Sequence, residues 1–232
     1  MNIAIFFTIW SSKISSDEMS WHFGEAPLGW LKEQEAVKAV EIYTPEPGNV
    51  PVLDDIPAPT LILQVDLEDE AAGNALMNST DFQDNVCDLG AFSEAIERSR
   101  LEITEAVQYP VGEQKDIAPR TSPLSFVVRY YGPVTDPQQF VNFYTSNHPP
   151  ILAKFPNIRN VLCYLPLGWQ DKDSFAEEEL VLGNEVVFDD LDALLHSMTT
   201  PVLQEALDDA DQFQPFGYST HHAMHRELLF RR

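Results

Sequence analysis

The chain has 232 residues, enough for one large domain or for two domains of about 100 residues each. Apolar residues make up 44% of it and aromatic residues 11%, so a buried core is expected rather than a disordered chain. A net charge of −23 argues against nucleic acid and anionic membranes as partners, because both would repel the protein.

The first half reads as four strands separated by two helical segments. Runs rich in β-branched and aromatic residues predict the strands, and Ser16-Asp17-Glu18 offers a cap for the first helix. The strands are expected at Asn2–Trp10, Val37–Tyr43, Thr60–Leu67 and Leu101–Tyr109, and the helices at Met19–Gln34 and Glu68–Leu89. A proline-rich loop over residues 45–59 divides the second strand from the third.

Two features bear on where the protein works. The apolar run at the N-terminus is only about eight residues long and has no basic leader, so it reads as a strand and not as a signal peptide. No run reaches the 18 or so apolar residues of a transmembrane helix. We therefore expect a cytoplasmic protein whose cysteines, Cys87 and Cys163, are free thiols with no zinc-like spacing.

The same order of elements returns in the second half. Its strands are predicted at Leu124–Tyr131, Ile158–Leu165, Leu180–Phe188 and Ser219–Phe230, and its helices at Asp136–Phe155 and Leu191–Asp209. At an offset of 121 residues Tyr43 aligns with Tyr164 and Pro45 with Pro166, as expected for an internal repeat.

The repeat predicts an α+β protein made of two ferredoxin-like β-α-β-β-α-β halves. Residues 1–110 form the first half, 111–123 a linker and 124–232 the second half. Each half would carry both helices on one face of its sheet, so the bare faces are expected to pair into a barrel within one chain. The barrel interior is then the expected ligand cavity.

Two segments of the second half resemble the EthD-like family of the dimeric α/β-barrel superfamily. They are FYTSNHPPI at 143–151 and EVVFDDLDALLHSMTTPVLQEAL at 185–207. The resemblance covers about residues 124–215 and, more faintly, 3–90. It implies the barrel fold, in a superfamily that includes dehydratase-like, cyclase-like and oxygenase-like enzymes.

His148 is the candidate catalytic base. Pro149 and Pro150 follow it at once, so the helix is expected to break there and hold the ring at the cavity mouth. Tyr144 lies one helical turn earlier and could orient the ring. The alternative is a solvated histidine at a helix end. The first half has Glu25 at the matching position, as a second candidate or a structural remnant.

Strand alternation assigns side chains to the barrel interior. In the strand 124–131 it points Val127, Arg129 and Tyr131 inward, and Glu185 is expected to pair with Arg129, for binding or as a structural ion pair. On the last strand His221, His225 and Glu227 are expected inward, and Tyr164 is a further candidate for substrate binding. A metal site is not expected, because His221 and His222 point to opposite faces and His225 is about 13 Å from His221.

The chain contains no GxGxxG, P-loop or HExxH motif, so no cofactor is expected. The leading interpretation is a cofactor-independent acid/base enzyme, a lyase or dehydratase, isomerase or cyclase, with His148, Tyr144 and Glu185 as catalytic residues. Its partner would be a hydrophobic, aromatic or polyketide-like small molecule, bound by a monomeric pseudo-dimer or a higher homo-oligomer. The alternatives are an oxygenase of the same superfamily, with or without haem, and a non-enzymatic binder.

Overall fold

Eight antiparallel strands close into a barrel in the computed structural model of this chain. The structure describes residues 2–48, 50, 56–112, 119–170 and 179–232; the remaining parts of the predicted loop and linker lie outside the described residues. The strands are β1 Asn2–Trp10, β2 Val37–Pro45, β3 Leu61–Leu67, β4 Arg98–Tyr109, β5 Leu124–Tyr131, β6 Asn160–Gln170, β7 Leu180–Phe188 and β8 Tyr218–Arg231. Their order around the barrel is β1-β3-β2-β8-β5-β7-β6-β4.

The helices pack on the outside of the barrel. They are α1 Ser16–Gly24, α2 Ala26–Glu33, α3 Glu70–Met77, α4 Thr80–Phe82, α5 Pro137–Leu152, α6 Leu191–Ser197 and α7 Pro201–Ala210, with a π-helical turn at Gln83–Cys87 and a 3₁₀ turn at Gly90–Ala95. One apolar cluster joins α1–α4 to β1–β4 and another joins α5–α7 to β5–β8. Within the described residues, every helix is too short or too polar to cross a bilayer.

The barrel confirms the α+β class. β1–β4 are arranged in the order β4-β1-β3-β2, and β5–β8 follow the corresponding order β8-β5-β7-β6. The pairs β2–β8 and β4–β6 join these two groups of strands and close the barrel. The predicted bounds of β1, β5 and β7 are those observed, because their apolar runs end at turn-forming residues.

All four predicted helices depart from the predictions. The helix expected at Glu68–Leu89 is divided into α3, α4 and the π-helical turn, and the helix expected at Leu191–Asp209 is divided into α6 and α7. The expected helix from Met19 is interrupted at Glu25, whose backbone leaves helical geometry at φ −95° and ψ −115°. The predicted break at His148 is wrong, since α5 runs through Pro149 and Pro150 to its end at Leu152. The prolines fall in the last turns of α5, and the two carbonyls that lose their donors, on residues 145 and 146, lie on the partly exposed side of the helix.

Among the described residues, side chains fill the barrel interior and leave no open cavity of the expected kind. Apolar side chains such as Phe6, Ile62 and Val187 pack together inside it. A network of buried charged and phenolic side chains occupies the rest, and it includes Glu41 and Glu185, which are 0% and 1% exposed. The cavity that could hold a ligand lies on the other face of the sheet.

Candidate active site

A cavity of about 300 Å³ lies between the outer face of β5, β7 and β8 and the helices α5 and α7. This volume is at the lower end of the range for small-molecule sites. Its wall is mostly apolar and aromatic, with Phe126, Phe155, Phe188 and Leu203 among the lining residues. Alternation places Phe126, Val128 and Tyr130 of β5 on this face, as the sequence predicted.

His148 lines the helix side of this cavity. It follows Tyr144 by four residues on α5, so both side chains point from the same helix face towards the sheet. His148 is 6% exposed, and its Nδ1 lies 2.8 Å from Oδ2 of Asp209 in the last turn of α7. A carboxylate can only accept, so Nδ1 donates, and Nε2 is the nitrogen that can take a proton.

The environment of His148 favours its neutral form. Burial lowers the pKa of His148 below its ordinary value and outweighs the Asp209 hydrogen bond and charge, which raise it. A neutral imidazole held by a carboxylate is the arrangement of a general base, because the carboxylate stabilises the imidazolium formed when a proton is taken.

Aromatic rings surround the imidazole. The ring of Tyr144 is centred 4.8 Å from that of His148, and the ring of Phe213 is centred 5.3 Å from it. Burial raises the pKa of Tyr144 and of Tyr130, so both phenols stay protonated. Tyr144 thus packs against His148, but the hydrogen bond that orients the ring comes from Asp209.

The predicted catalytic set is divided by the sheet. His148 and Tyr144 line the cavity, whereas Glu185 points into the barrel from β7. Glu185 accepts hydrogen bonds from Ser125 Oγ and Tyr164 Oη, each at 2.5 Å. Glu185 and Tyr164 are therefore separated from His148 by the β-sheet and belong to the interior network.

The predicted pairing of Arg129 with Glu185 is wrong. Arg129 does point into the barrel, but its guanidinium lies over the rings of Phe6, at 4.8 Å, and Tyr164, at 5.3 Å. The charge partner of Glu185 is Arg120, from the end of the predicted linker, at 2.8 Å. Burial opposes ionisation of Glu185, but Arg120 and the hydrogen bonds outweigh it and hold the pKa below its ordinary value.

The predicted directions of the side chains near the start of β8 are wrong. His222 is buried towards the barrel, together with Met224 and Arg226. His221 instead lines the cavity under α5 and α7. His225 is half exposed, with Nδ1 3.9 Å from Glu46 Oε2. The prediction for His221 and His225 is wrong because Met224, which shares a face with His222, fills the barrel core.

The remaining predicted residues lie away from the cavity. Tyr131 stacks on Tyr218 with ring centroids 4.8 Å apart, and the guanidinium of Arg100 sits 4.2 Å from its ring centre. Glu25 is exposed at the break between α1 and α2, where the helix cap receives no side-chain hydrogen bond. Neither residue is placed to act with His148.

Sequence reasoning missed Asp209 and Arg120. Asp209 lies 61 positions from His148 and within an acidic run at a helix end, which reads as a solvated surface. Arg120 stands in a proline-rich connection with no periodic pattern. The one available signal was the alternation that buries Glu41 and Glu185, since buried carboxylates require cationic partners.

Comparisons with known proteins agree with the fold. No protein-family model matches the sequence, and no curated protein does. The structure is similar to an anthrone oxidase-like protein (TM-score 0.63, 12% identity, 98% of this chain and 93% of that one). It is also similar to a protein of Fusobacterium nucleatum assigned as a monooxygenase (0.58, 10%, 98% and 93%). A chlorite dismutase variant from Candidatus Nitrospira defluvii is a third similar structure (0.51, 10%, 96% and 90%).

These similar structures and the closed eight-stranded barrel agree on the fold of the chain. Identities of 10–12% establish the fold alone. The three structures are named as enzymes, in line with the expectation for this chain. Their names nevertheless contradict the leading interpretation, since they refer to an oxidase, a monooxygenase and a dismutase. The expectation of a lyase, isomerase or cyclase is thereby contradicted, and the oxygenase alternative agrees better with these names.

Proposed function

We propose that the protein is an oxygenase or oxidase that oxidises a hydrophobic aromatic small molecule with molecular oxygen. The observation that carries the proposal is the His148–Asp209 pair in the wall of a largely apolar cavity of about 300 Å³. The names of the similar structures support oxidation as the class of reaction. The cavity supports a compact substrate of two or three rings.

In the proposed reaction the protein transfers a proton and excludes water. His148 Nε2 takes a proton from an activated C–H group of the substrate, and Asp209 stabilises the imidazolium. The carbanion gives electrons to O₂ and forms a C–O bond, and the resulting peroxide takes up the proton. Loss of water then leaves a carbonyl, so that a CH₂ group and O₂ become C=O and H₂O. The apolar wall keeps water from the carbanion.

Haem does not fit this site as well as a substrate does. Haem iron needs an axial ligand, and His148 and His221 both offer imidazoles. However, a space of about 300 Å³ between sheet and helices is small for a macrocycle together with its substrate. No step is therefore assigned to haem, and a Soret band in the purified protein would contradict this view.

Oxygen uptake tests the proposal. Anthrone is a suitable probe, since one similar structure is named for its oxidation. The wild-type protein should consume one O₂ for each anthraquinone formed, and His148→Ala should abolish most of this uptake. Binding of anthrone without oxygen uptake by the wild type would instead assign the protein to the non-enzymatic binders.

We also propose that the chain is a tandem duplication, with residues 1–110 and 124–232 as ferredoxin-like halves and the second half EthD-like. The corresponding strand orders in the two groups and the two separate apolar clusters support this. The protein would act in the cytoplasm as a monomer or a homo-oligomer, and its charge of −23 disfavours nucleic acid and membranes. Size-exclusion chromatography with light scattering would determine the oligomeric state.

A further inference from the structure

The sheet wall of the cavity carries a second histidine. His221 on β8 lies directly opposite Val128 of β5, and Asn184 of β7 lies opposite the same Val128 on its other side. The three residues form one row across the floor of the cavity. His148 reaches the cavity from α5, on the opposite wall.

The two polar residues that flank Val128 have different surroundings. Asn184 Nδ2 donates to the Leu162 carbonyl at 2.9 Å, so this amide group holds β7 to β6. His221 lies near the ring of Phe126, with centroids 6.1 Å apart, and presents an imidazole to the cavity. An imidazole can donate or accept a hydrogen bond to an oxygen of a ligand.

The lining also excludes a class of ligands. None of the described lining residues is Asp, Glu, Lys or Arg, and Asp209 stands behind His148. A carboxylate or phosphate of a ligand would lose its hydration here without gaining a cationic partner. The walls therefore suit a ligand that is neutral at both ends.

We infer that His221 is a specificity-determining residue that binds an oxygen of the ligand on the sheet wall. This oxygen lies across the cavity from the ligand carbon that faces His148. This inference rests on the proposed function, because it concerns the same cavity. The ligand is a flat, neutral aromatic molecule with oxygen substituents at two ends. The hydrogen bond with His221 fixes one end of the ligand, so that one carbon faces His148 on the opposite wall.

Equilibrium binding measured by calorimetry tests this inference with three probes: 2,6-dihydroxynaphthalene, 2-naphthol and 2-naphthoate. The wild type should prefer the diol to 2-naphthol by about threefold to tenfold, the contribution of one hydrogen bond. It should bind 2-naphthoate at least about tenfold more weakly than 2-naphthol. His221→Phe should remove the preference for the diol and leave 2-naphthol binding nearly unchanged.

The same strand offers a matched control. His225→Phe changes a half-exposed histidine outside the cavity and should keep the preference for the diol. His221→Leu and His221→Gln, each checked by circular dichroism, guard against misfolding of a single variant. His221→Leu should lose the preference, and His221→Gln should keep part of it. An unchanged preference in His221→Phe and His221→Leu, or tight binding of 2-naphthoate, would overturn the inference.

The outcome separates this inference from the proposed oxidation, because binding needs no oxygen. If His221→Phe loses the preference for the diol while the wild type consumes no O₂, the role of His221 is upheld and the proposed oxidation is overturned. If the wild type consumes O₂ but His221→Phe keeps the preference for the diol, the oxidation is upheld and the role of His221 is overturned.

Discussion

Arg120 and Glu185 are joined inside the barrel by a 2.8 Å contact between Nη1 and Oε2. The same guanidinium contacts Glu41 through Nη2, and Nη1 also donates to Tyr43 at 2.8 Å and to Tyr164 at 2.9 Å. One side chain of the segment 119–123 thus binds residues of β2, β6 and β7. It ties the connection between β4 and β5 to the centre of the barrel.

Replacing Arg120 should destabilise the fold strongly. Arg120→Met would leave Glu185 buried with only hydroxyl donors, while Glu41 would keep Arg226 at 3.0 Å. We expect a loss of about 3 to 5 kcal/mol in the free energy of unfolding, the usual cost of stranding a buried charge. Denaturation in urea measures it.

Two control variants sharpen that experiment. Arg159→Met removes an ion pair with Asp189 in which both side chains are about half exposed, so it should cost less than about 1 kcal/mol. Arg129→Met should cost less than Arg120→Met, because Glu185 keeps its guanidinium partner. A larger loss from Arg129→Met would restore the pairing predicted from the sequence.

The sequence predicted the strands well and the site only in part. The strands of this barrel either alternate apolar with polar residues or form short buried runs, as in Leu124–Tyr131. Both patterns lie within a few neighbouring residues, so the sequence alone reveals them. The repeat predicted from the sequence led to the expectation of a closed barrel, and the structure shows a closed barrel. The sequence could not show that Arg120 lies in the barrel interior, since the residues around it have no periodic apolar pattern. Nor could it show that His148 meets Asp209, because that contact depends on how α5 packs against α7.

Two glycines should respond in opposite directions to alanine. A Cβ on Gly217 would lie 1.9 Å from the backbone oxygen of Gly132, which cannot move as a side chain can. Gly217→Ala should therefore cost about 1 to 3 kcal/mol or more. Gly29 lies inside α2 with nothing within 4 Å of such a Cβ, and Gly29→Ala should stabilise by about 0.5 to 1 kcal/mol. Thermal unfolding of both variants provides the comparison.

The buried histidine should make stability depend on pH. The pKa of His148 is lowered in the folded state, so between that pKa and the ordinary value near 6.5 the unfolded chain binds more protons. Its contribution is present above about 6.5 and is lost as the pH falls, with a slope of at most about 1.4 kcal/mol per pH unit.

Comparison with a variant isolates this contribution. Burial raises the pKa of Glu41 and of Glu102, which gives the opposite slope over a neighbouring range of pH. The difference in unfolding free energy between the wild type and His148→Gln removes these effects. That difference should shrink as the pH falls from 7 to 5. A constant difference for His148→Gln would contradict a lowered pKa.

His148, Asp209 and Glu25 provide the decisive test of the active site. His148→Ala should lower turnover of anthrone by about 100-fold or more without unfolding the protein, the range expected for loss of a general base. Asp209→Asn keeps a polar group of the same size but removes the charge that raises the pKa of His148. Its rate should fall less, and the acidic limb of its pH profile should move to lower pH.

Glu25→Ala serves as the matched control, because the proposed duplication aligns Glu25 with His148 but Glu25 is exposed and away from the cavity. It should leave turnover nearly unchanged. Equal losses from Glu25→Ala and His148→Ala would mean that the region around Glu25 carries chemistry as well. If Asp209→Asn lowered turnover without moving the acidic limb, the contact with Asp209 would not tune the base. If His148→Ala left turnover intact, the imidazole would only fill space between α5 and α7.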